Sequence, residues 1–242
     1  MRREEDAYGR AMLDHWLGRD AWEIVERDDG CFMIGGGPEL YFAPFEEWRE
    51  VEKEAMDHVR GRILDVGCGA GRAALHLQEQ GHEVVGIDNS PAAIETCRLR
   101  GVVDARVISI DEIDSGLGVF DTVLMLGGNL SLLGNRERGK RILGNIAGVT
   151  GEDALIVGAS RDRTGSTDPD IVDYFTRNVA QGRRSGQGRI CIRYRKYVTP
   201  WFDFLRMTVE ELRELLEGTG WRLQQMLSPD DSLYVAILEK DR

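Results

Sequence analysis

The chain is 242 residues long, enough for one sizeable α/β domain with embellishments and short for two. Its 42% hydrophobic and 30% charged residues exclude a disordered or fibrous chain, its longest apolar stretches fall short of the ~20 residues of a membrane span, and Met1-Arg2-Arg3-Glu4-Glu5-Asp6 lacks a signal-peptide core. A net charge of −11 argues against the broad basic footprint of a nucleic-acid enzyme, so a cytoplasmic protein with no nucleic-acid or membrane partner is expected.

Residues 7–28 carry Ala7, Ala11, Met12, Trp16, Leu17, Trp22 and Ile24 at helical spacing, which predicts an amphipathic helix. Gly35-Gly36-Gly37-Pro38 breaks it, and after Tyr41-Phe42 a second helix is predicted from about Phe45 to Val59, with Trp48, Val51 and Ala55 on one side. Residues 1–60 thus read as a helical segment ahead of the core, and an acidic one, with 16 acidic against 8 basic side chains. From Arg62 the pattern alternates: strands at 62–66, 83–88, 105–110, 120–127 and 153–160, helices at 71–80, 91–100 and 136–148. That predicts a doubly wound, mostly parallel sheet with its ligand at the carboxyl ends of the strands.

An insertion at about 161–207 follows, too long for a plain loop. Within it Ile190, Ile192, Tyr194 and Val198 alternate with Arg189, Arg193 and Arg195, and Trp201–Leu205 reads as a returning strand, so a β-hairpin is expected. Arg177, Arg183, Arg184, Arg189, Arg193, Arg195 and Lys196 occur with no acidic residue between Asp173 and Asp203. They read either as holders of an anionic group or as a solvated strand face that discourages edge pairing. Tyr194, Tyr197 and Trp201 likewise either line an aromatic pocket or pack the hairpin. A helix near 208–217 and strands at 221–227 and 233–238, around the turn Ser228-Pro229-Asp230-Asp231, close the chain. The cysteines at 31, 68, 97 and 191 lack metal-ligand or disulfide spacing, and free thiols are expected.

The most informative stretch is Ile63-Leu64-Asp65-Val66-Gly67-Cys68-Gly69-Ala70-Gly71-Arg72, an apolar strand that breaks into alternating glycines and then a helix. Residues without a Cβ let the backbone turn tightly against a ligand faced by the helix N–H groups. A dinucleotide fingerprint needs its third glycine at position 72, where Arg72 stands, so pyrophosphate binding is disfavoured. Asp88 closes the next strand about 20 residues on, where a ribose-binding carboxylate belongs, and Ser90-Pro91 reads as a helix N-cap and first helical position.

This turn, acidic-x-Gly-x-Gly-x-Gly, resembles the signature of the class I S-adenosylmethionine-dependent methyltransferases, and the resemblance covers about residues 60–160 and 208–240. It implies a Rossmann-like seven-stranded sheet with residues 1–60 as a lid and 61–242 as a core carrying the insertion. It implies S-adenosylmethionine as cofactor, leaving as S-adenosylhomocysteine, held by Asp65, Gly67, Cys68, Gly69, Gly71 and Arg72 at the methionine end and by Asp88 and Asn89 at the ribose. Asp111 and Glu112 are expected at the adenine and Leu126, Gly127, Gly128 and Asn129 along the remaining wall. The expected activity is O-, N- or C-methylation of a small molecule, anionic or aromatic. The alternatives are a protein or RNA methyltransferase and a noncatalytic cofactor-binding protein of the same fold.

Methyl transfer needs chiefly alignment of nucleophile and methyl carbon, so no catalytic signature is required. Asn129, His15 and Tyr194 are the candidates for one, and Tyr41, Arg193, Arg195 and Trp201 for the acceptor. His76 and His82, on the first core helix and its exit, read as packing or solvent-facing. No gathering of carboxylates and amide suggests a metal. Acceptor identity, methylated atom and oligomeric state stay open.

Overall fold

The computed structural model describes residues 1–228 and 232–241, so the turn expected at 228–231 lies largely outside the described residues. In chain order come α1 (Ala7–Trp16), β1 (Ile24–Arg27), β2 (Phe32–Ile34), α2 (Glu50–Met56), β3 (Ile63–Val66), α3 (Arg72–Glu79), β4 (Val84–Asp88), α4 (Pro91–Arg100), β5 (Asp104–Val107) and β6 (Phe120–Met125). Then follow α5 (Arg136–Gly148), β7 (Thr150–Arg161), α6 (Pro169–Ala180), β8 (Gln187–Tyr194), β9 (Tyr197–Val198), β10 (Phe202–Leu205), α7 (Val209–Leu216), β11 (Trp221–Leu227) and β12 (Leu233–Lys240).

Seven strands form the main sheet in the order β11-β12-β7-β6-β3-β4-β5, with β3, β4, β5, β6 and β7 mutually parallel and β12 antiparallel to both neighbours. Both faces are buried, and the strand period of two sorts the side chains between them. Leu64, Val66, Val123, Met125, Tyr234 and Ala236 pack on the α5 and α7 side, whereas Ile63, Leu124, Val235 and Ile237 pack on the α2, α3 and α4 side. Each fully buried Leu or Ile contributes about 1.5–3 kcal/mol of hydrophobic stabilisation. Strand order reverses beside β3, which places a crevice at the carboxyl ends of β3, β4 and β6.

The N-terminal segment departs from the helical expectation. The helix expected over 7–28 stops at Trp16, where the N–H of Gly18, at φ +74°, donates back to the His15 carbonyl, and β-branched Ile24 and Val25 begin a strand. The helix expected over 45–59 shrinks to a 3-10 turn at Phe45–Glu47 followed by α2. The insertion also differs: it holds α6, capped by Asp168 and opened by Pro169, before its strands. The strand expected over 189–198 breaks at Arg195, whose φ of +51° makes it a turn residue.

These two departures have one cause, because β1 and β8 pair. Val25 faces Ile192 in a second, five-stranded sheet ordered β10-β8-β1-β2, with β9 beside β8. Helix α1 packs Ala7 and Ala11 against Ile190, Ile192 and Tyr194 of that sheet. Its Met12 meets Ala70 and Ala93 of the core. The N-terminal segment and the insertion therefore share one helix-backed sheet. Among the described residues no helix is long and apolar enough to cross a membrane.

Candidate functional site

Strand β3 ends in the glycine turn, where Gly67, Gly69 and Gly71 take φ of +71°, +55° and +80°. A side chain at Gly67 would place its Cβ 2.6 Å from the Asn129 amide nitrogen, so glycine is required there by both strain and space. The N–H groups of Gly67 and Cys68 donate to the Ile87 carbonyl at 2.8 and 3.1 Å, tying the turn to the end of β4.

Asp88 completes that junction. Its Oδ2 accepts from the Gly69 N–H at 3.1 Å and its Oδ1 from the Ser90 N–H at 2.9 Å, so the carboxylate faces the turn. Burial pushes its acidity to about 6 against the pull of those backbone hydrogen bonds. Asp65 is more extreme: it is buried, its Oδ2 has no hydrogen-bond partner, and desolvation lifts it to about 7 despite the nearby Arg72 guanidinium. A buried carboxylate oxygen left without a partner beside a Cβ-free cradle is a site built to receive a ligand's hydrogen-bond donors. Asn89 is exposed at the rim.

Other expected residues have different tasks. The Asp111 carboxylate takes paired hydrogen bonds from Arg138 at 2.9 and 2.6 Å and another from Arg141 at 2.7 Å, which hold it below the usual range. Glu112 reaches back to the Ser109 N–H as a capping box. Asn129 donates its amide to the carbonyls of Val66 and Gly67 at 3.0 and 2.9 Å, pinning the loop after β6 to the glycine turn. Leu126 is buried, and Gly127 and Gly128 turn with positive φ beside it. Tyr194 is locked, its hydroxyl donating to Asp14 at 2.8 Å, with burial and that carboxylate pushing its acidity to about 12.

The basic run of the insertion meets the acidic start of the chain. Arg193 pairs with Glu26, Arg183 with Asp28 at 2.7 Å, and Arg195 with Asp14 at 3.4 Å. This pairing accounts for the local charge reversal without a bound anion. Trp201 stands 41% exposed at the start of β10.

Glu52, Asp6 and Tyr8, which carry no sequence signal, join Trp48 and Tyr41 around the turn through contacts across long sequence distances. Buried Glu52 of α2 accepts from Arg72 at 3.0 Å and from the Gly127 N–H at 3.1 Å, joining lid, glycine-turn helix and the loop after β6. Trp48 stacks under the Arg72 guanidinium at 4.2 Å. Buried Asp6 accepts from the Ser90 hydroxyl at 2.5 Å and the Ala92 N–H at 2.9 Å, seating α1 on the start of α4. Tyr41 and Tyr8 share a hydroxyl hydrogen bond of 2.7 Å and pack with Met12 over Ala70. A cavity of about 270 Å³ opens between His15, Trp22, Pro38 and Glu39. His76 is a packing residue, stacked on Phe45 at 4.0 Å.

Comparison with known proteins agrees with this geometry. The family model for a methyltransferase domain matches residues 63–152, the stretch from β3 into β7. The ubiquinone biosynthesis O-methyltransferase of Alkalilimnicola ehrlichii is 44% identical over 71 residues, 27% of this chain and 29% of that protein. The 2-heptyl-1-hydroxyquinolin-4(1H)-one methyltransferase of Mycobacteroides abscessus is 48% identical over 40 residues, 16% of this chain and 18% of that protein. The matches thus span under a third of either curated relative. A SAM-dependent methyltransferase from Bacteroides fragilis, crystallised with S-adenosyl-L-homocysteine, superposes with a TM-score of 0.85 at 26% identity, covering 100% of this chain and 98% of that one. With the glycine turn and the seven-stranded order in place, the chain carries a methyltransferase domain over residues 63–152 and the fold of the class I S-adenosylmethionine-dependent methyltransferases.

Proposed function

We propose that this protein transfers the methyl group of S-adenosylmethionine to a small-molecule acceptor. The observation that carries the reading is Asp88, a carboxylate fastened to Gly69 and Ser90 so that it faces the glycine turn. In this reading Asp88 receives the ribose hydroxyls, the unpartnered Oδ2 of Asp65 receives the ammonium of the methionine end, and Leu126 to Gly128 form the wall. The cofactor, when bound, supplies an electrophilic methyl carbon on a sulfonium. The protein's share is alignment and exclusion of water, which α1 and the residues around Tyr41 perform by covering the turn with Met12, Tyr8 and Phe42.

A small acceptor is supported by the size of the cavity between His15 and Trp22, about 270 Å³. It is also supported by the acidic balance of the chain, which disfavours RNA. Calorimetry tests the donor: S-adenosylhomocysteine should bind with a one-to-one stoichiometry and NAD should give no heat. Heat with NAD and none with the sulfur ligand overturns the reading.

A further inference from the structure

Glu23 is a buried carboxylate that neither the glycine turn nor the donor uses. Its side chain is fully buried, its Oε2 has no hydrogen-bond partner, and its Oε1 lies 3.4 Å from the Tyr41 hydroxyl. Gly35 lies against it: a Cβ there would stand 2.3 Å from Oε1 and 2.5 Å from Cδ, so a larger residue would push this carboxylate aside. An uncompensated buried charge is costly, and folds retain one where a ligand completes it.

The neighbours link that charge to the donor site. The Tyr41 and Tyr8 hydroxyls stand 2.7 Å apart, their rings meet edge-on at 5.6 Å, and both pack over Ala70 of the glycine turn. The Arg100 guanidinium clamps this arrangement, donating to the Tyr41 carbonyl at 3.3 Å and to the Ala70 carbonyl at 2.6 Å. Burial first, then the charges of Glu23 and Asp88, hold the Tyr8 phenol protonated, its acidity pushed to about 12. The phenols therefore pass or donate hydrogen bonds, and the carboxylate oxygens are the acceptors of the cluster.

A cavity lined by Trp22, the residue before Glu23, favours a cation. Asp20 and Glu39 sit at its wall, and its one arginine, Arg19, is spent on Asp14 at 2.7 Å, while His15 and Trp22 supply ring surfaces. We propose that Glu23, with Tyr41 and Tyr8, is the acceptor subsite, that the acceptor is a small cationic amine, and that Glu23 takes the proton its nitrogen must lose. The ammonium proton passes to Glu23 Oε2, the freed nitrogen lone pair forms the N–C bond, and the electron pair of the broken C–S bond stays on sulfur. This rests on the donor reading given above.

Thermal shift and calorimetry on the full chain separate the two. Benzylamine or tyramine at millimolar concentration should raise the Tm of the protein saturated with S-adenosylhomocysteine, and benzyl alcohol and benzoate should not. That comparison needs no variant. In Glu23→Gln the amine response should vanish, the free protein should melt higher than wild type, and the S-adenosylhomocysteine Kd should stay within about twofold. Gly35→Ala, which keeps the charge but displaces it, should also lose the amine response. Failure of S-adenosylhomocysteine to bind wild type sinks the donor reading. Normal binding with equal responses to amine and alcohol, or an amine response undiminished in Glu23→Gln, overturns the acceptor subsite alone.

Discussion

Asp88 shows how one side chain organises the donor crevice. Its two oxygens are already engaged by backbone N–H groups, so it is preoriented, yet burial keeps its acidity near 6 and leaves its remaining lone pairs eager for donors. Asp88→Asn replaces one accepting oxygen by an NH₂ and removes the charge. Hydrogen bonds to charged groups are worth about 1.5–3 kcal/mol each, so S-adenosylhomocysteine affinity should fall about 10- to 100-fold by calorimetry. An unchanged affinity would remove Asp88 from the site. The glycines and Asp88 were legible because their spacing is local and their residue types leave few alternatives. Glu23, Tyr8, Asp6 and Glu52 were not, since each sits in a helix or a connecting segment with no motif of its own and takes its role from a partner many residues away. Asp111 was legible by its position after β5, but its pairing with Arg138 and Arg141, from a helix further along the chain, was not.

Elements were read best where helix and strand signals alternated, from β3 to β7, and worst where the pattern needed a distant partner. The alternation of Ile190, Ile192 and Tyr194 correctly marked a buried strand face. The strand nature of Ile24–Arg27 was hidden because four residues between turns carry little periodicity until β8 pairs with them. Helix α6 did carry its signals, Asp168 before Pro169 and apolar positions at 171 and 174, and the charged run after it drew attention away. Docking of α1 depends on close approach to α4: a Cβ on Gly9 would stand 1.9 Å from the Ser90 hydroxyl and 2.6 Å from the Ala93 nitrogen. Gly9→Ala should therefore lift the lid helix at a cost of about 1–3 kcal/mol, read by urea unfolding. It should also quicken proteolysis near residues 17–24. A variant as stable and as protease-resistant as wild type would mean that α1 can shift without loosening the lid.

At the scale of the whole molecule, the acidic first 30 residues and the basic insertion are two halves of one sheet. Their carboxylates and guanidiniums pair between α1, β1 and the turn after it on one side and β8 and its flanking segments on the other, which is why neither half made electrostatic sense alone. These pairs lie at the surface or near it and contribute little apiece, so the strong pH dependence of stability belongs elsewhere. It belongs to Asp65 and Asp88, whose acidities in the folded protein sit at about 7 and about 6, above the ordinary aspartate range. Below about pH 4 both folded and unfolded chains hold these protons, and the two groups leave stability untouched. As pH rises from about 4 towards 7 the unfolded chain releases them first. The folded state then binds more protons than the unfolded one, and stability falls by up to about 1.4 kcal/mol per pH unit for each group in its window. Carboxylates held low by arginines, such as Asp111 and Asp28, act in the opposite sense, but only at more acid pH. The free protein should therefore melt lower at pH 7.5 than at pH 5. Asp65→Asn should flatten that slope, matching wild type near pH 4 and melting above it at pH 7.5. A donor ammonium that compensates Asp65 prefers the ionised form, so S-adenosylhomocysteine should stabilise wild type more at pH 7.5 than at pH 5. If Asp65→Asn instead melts lower than wild type across the range, the buried carboxylate is a structural asset and its proposed contact with the donor fails.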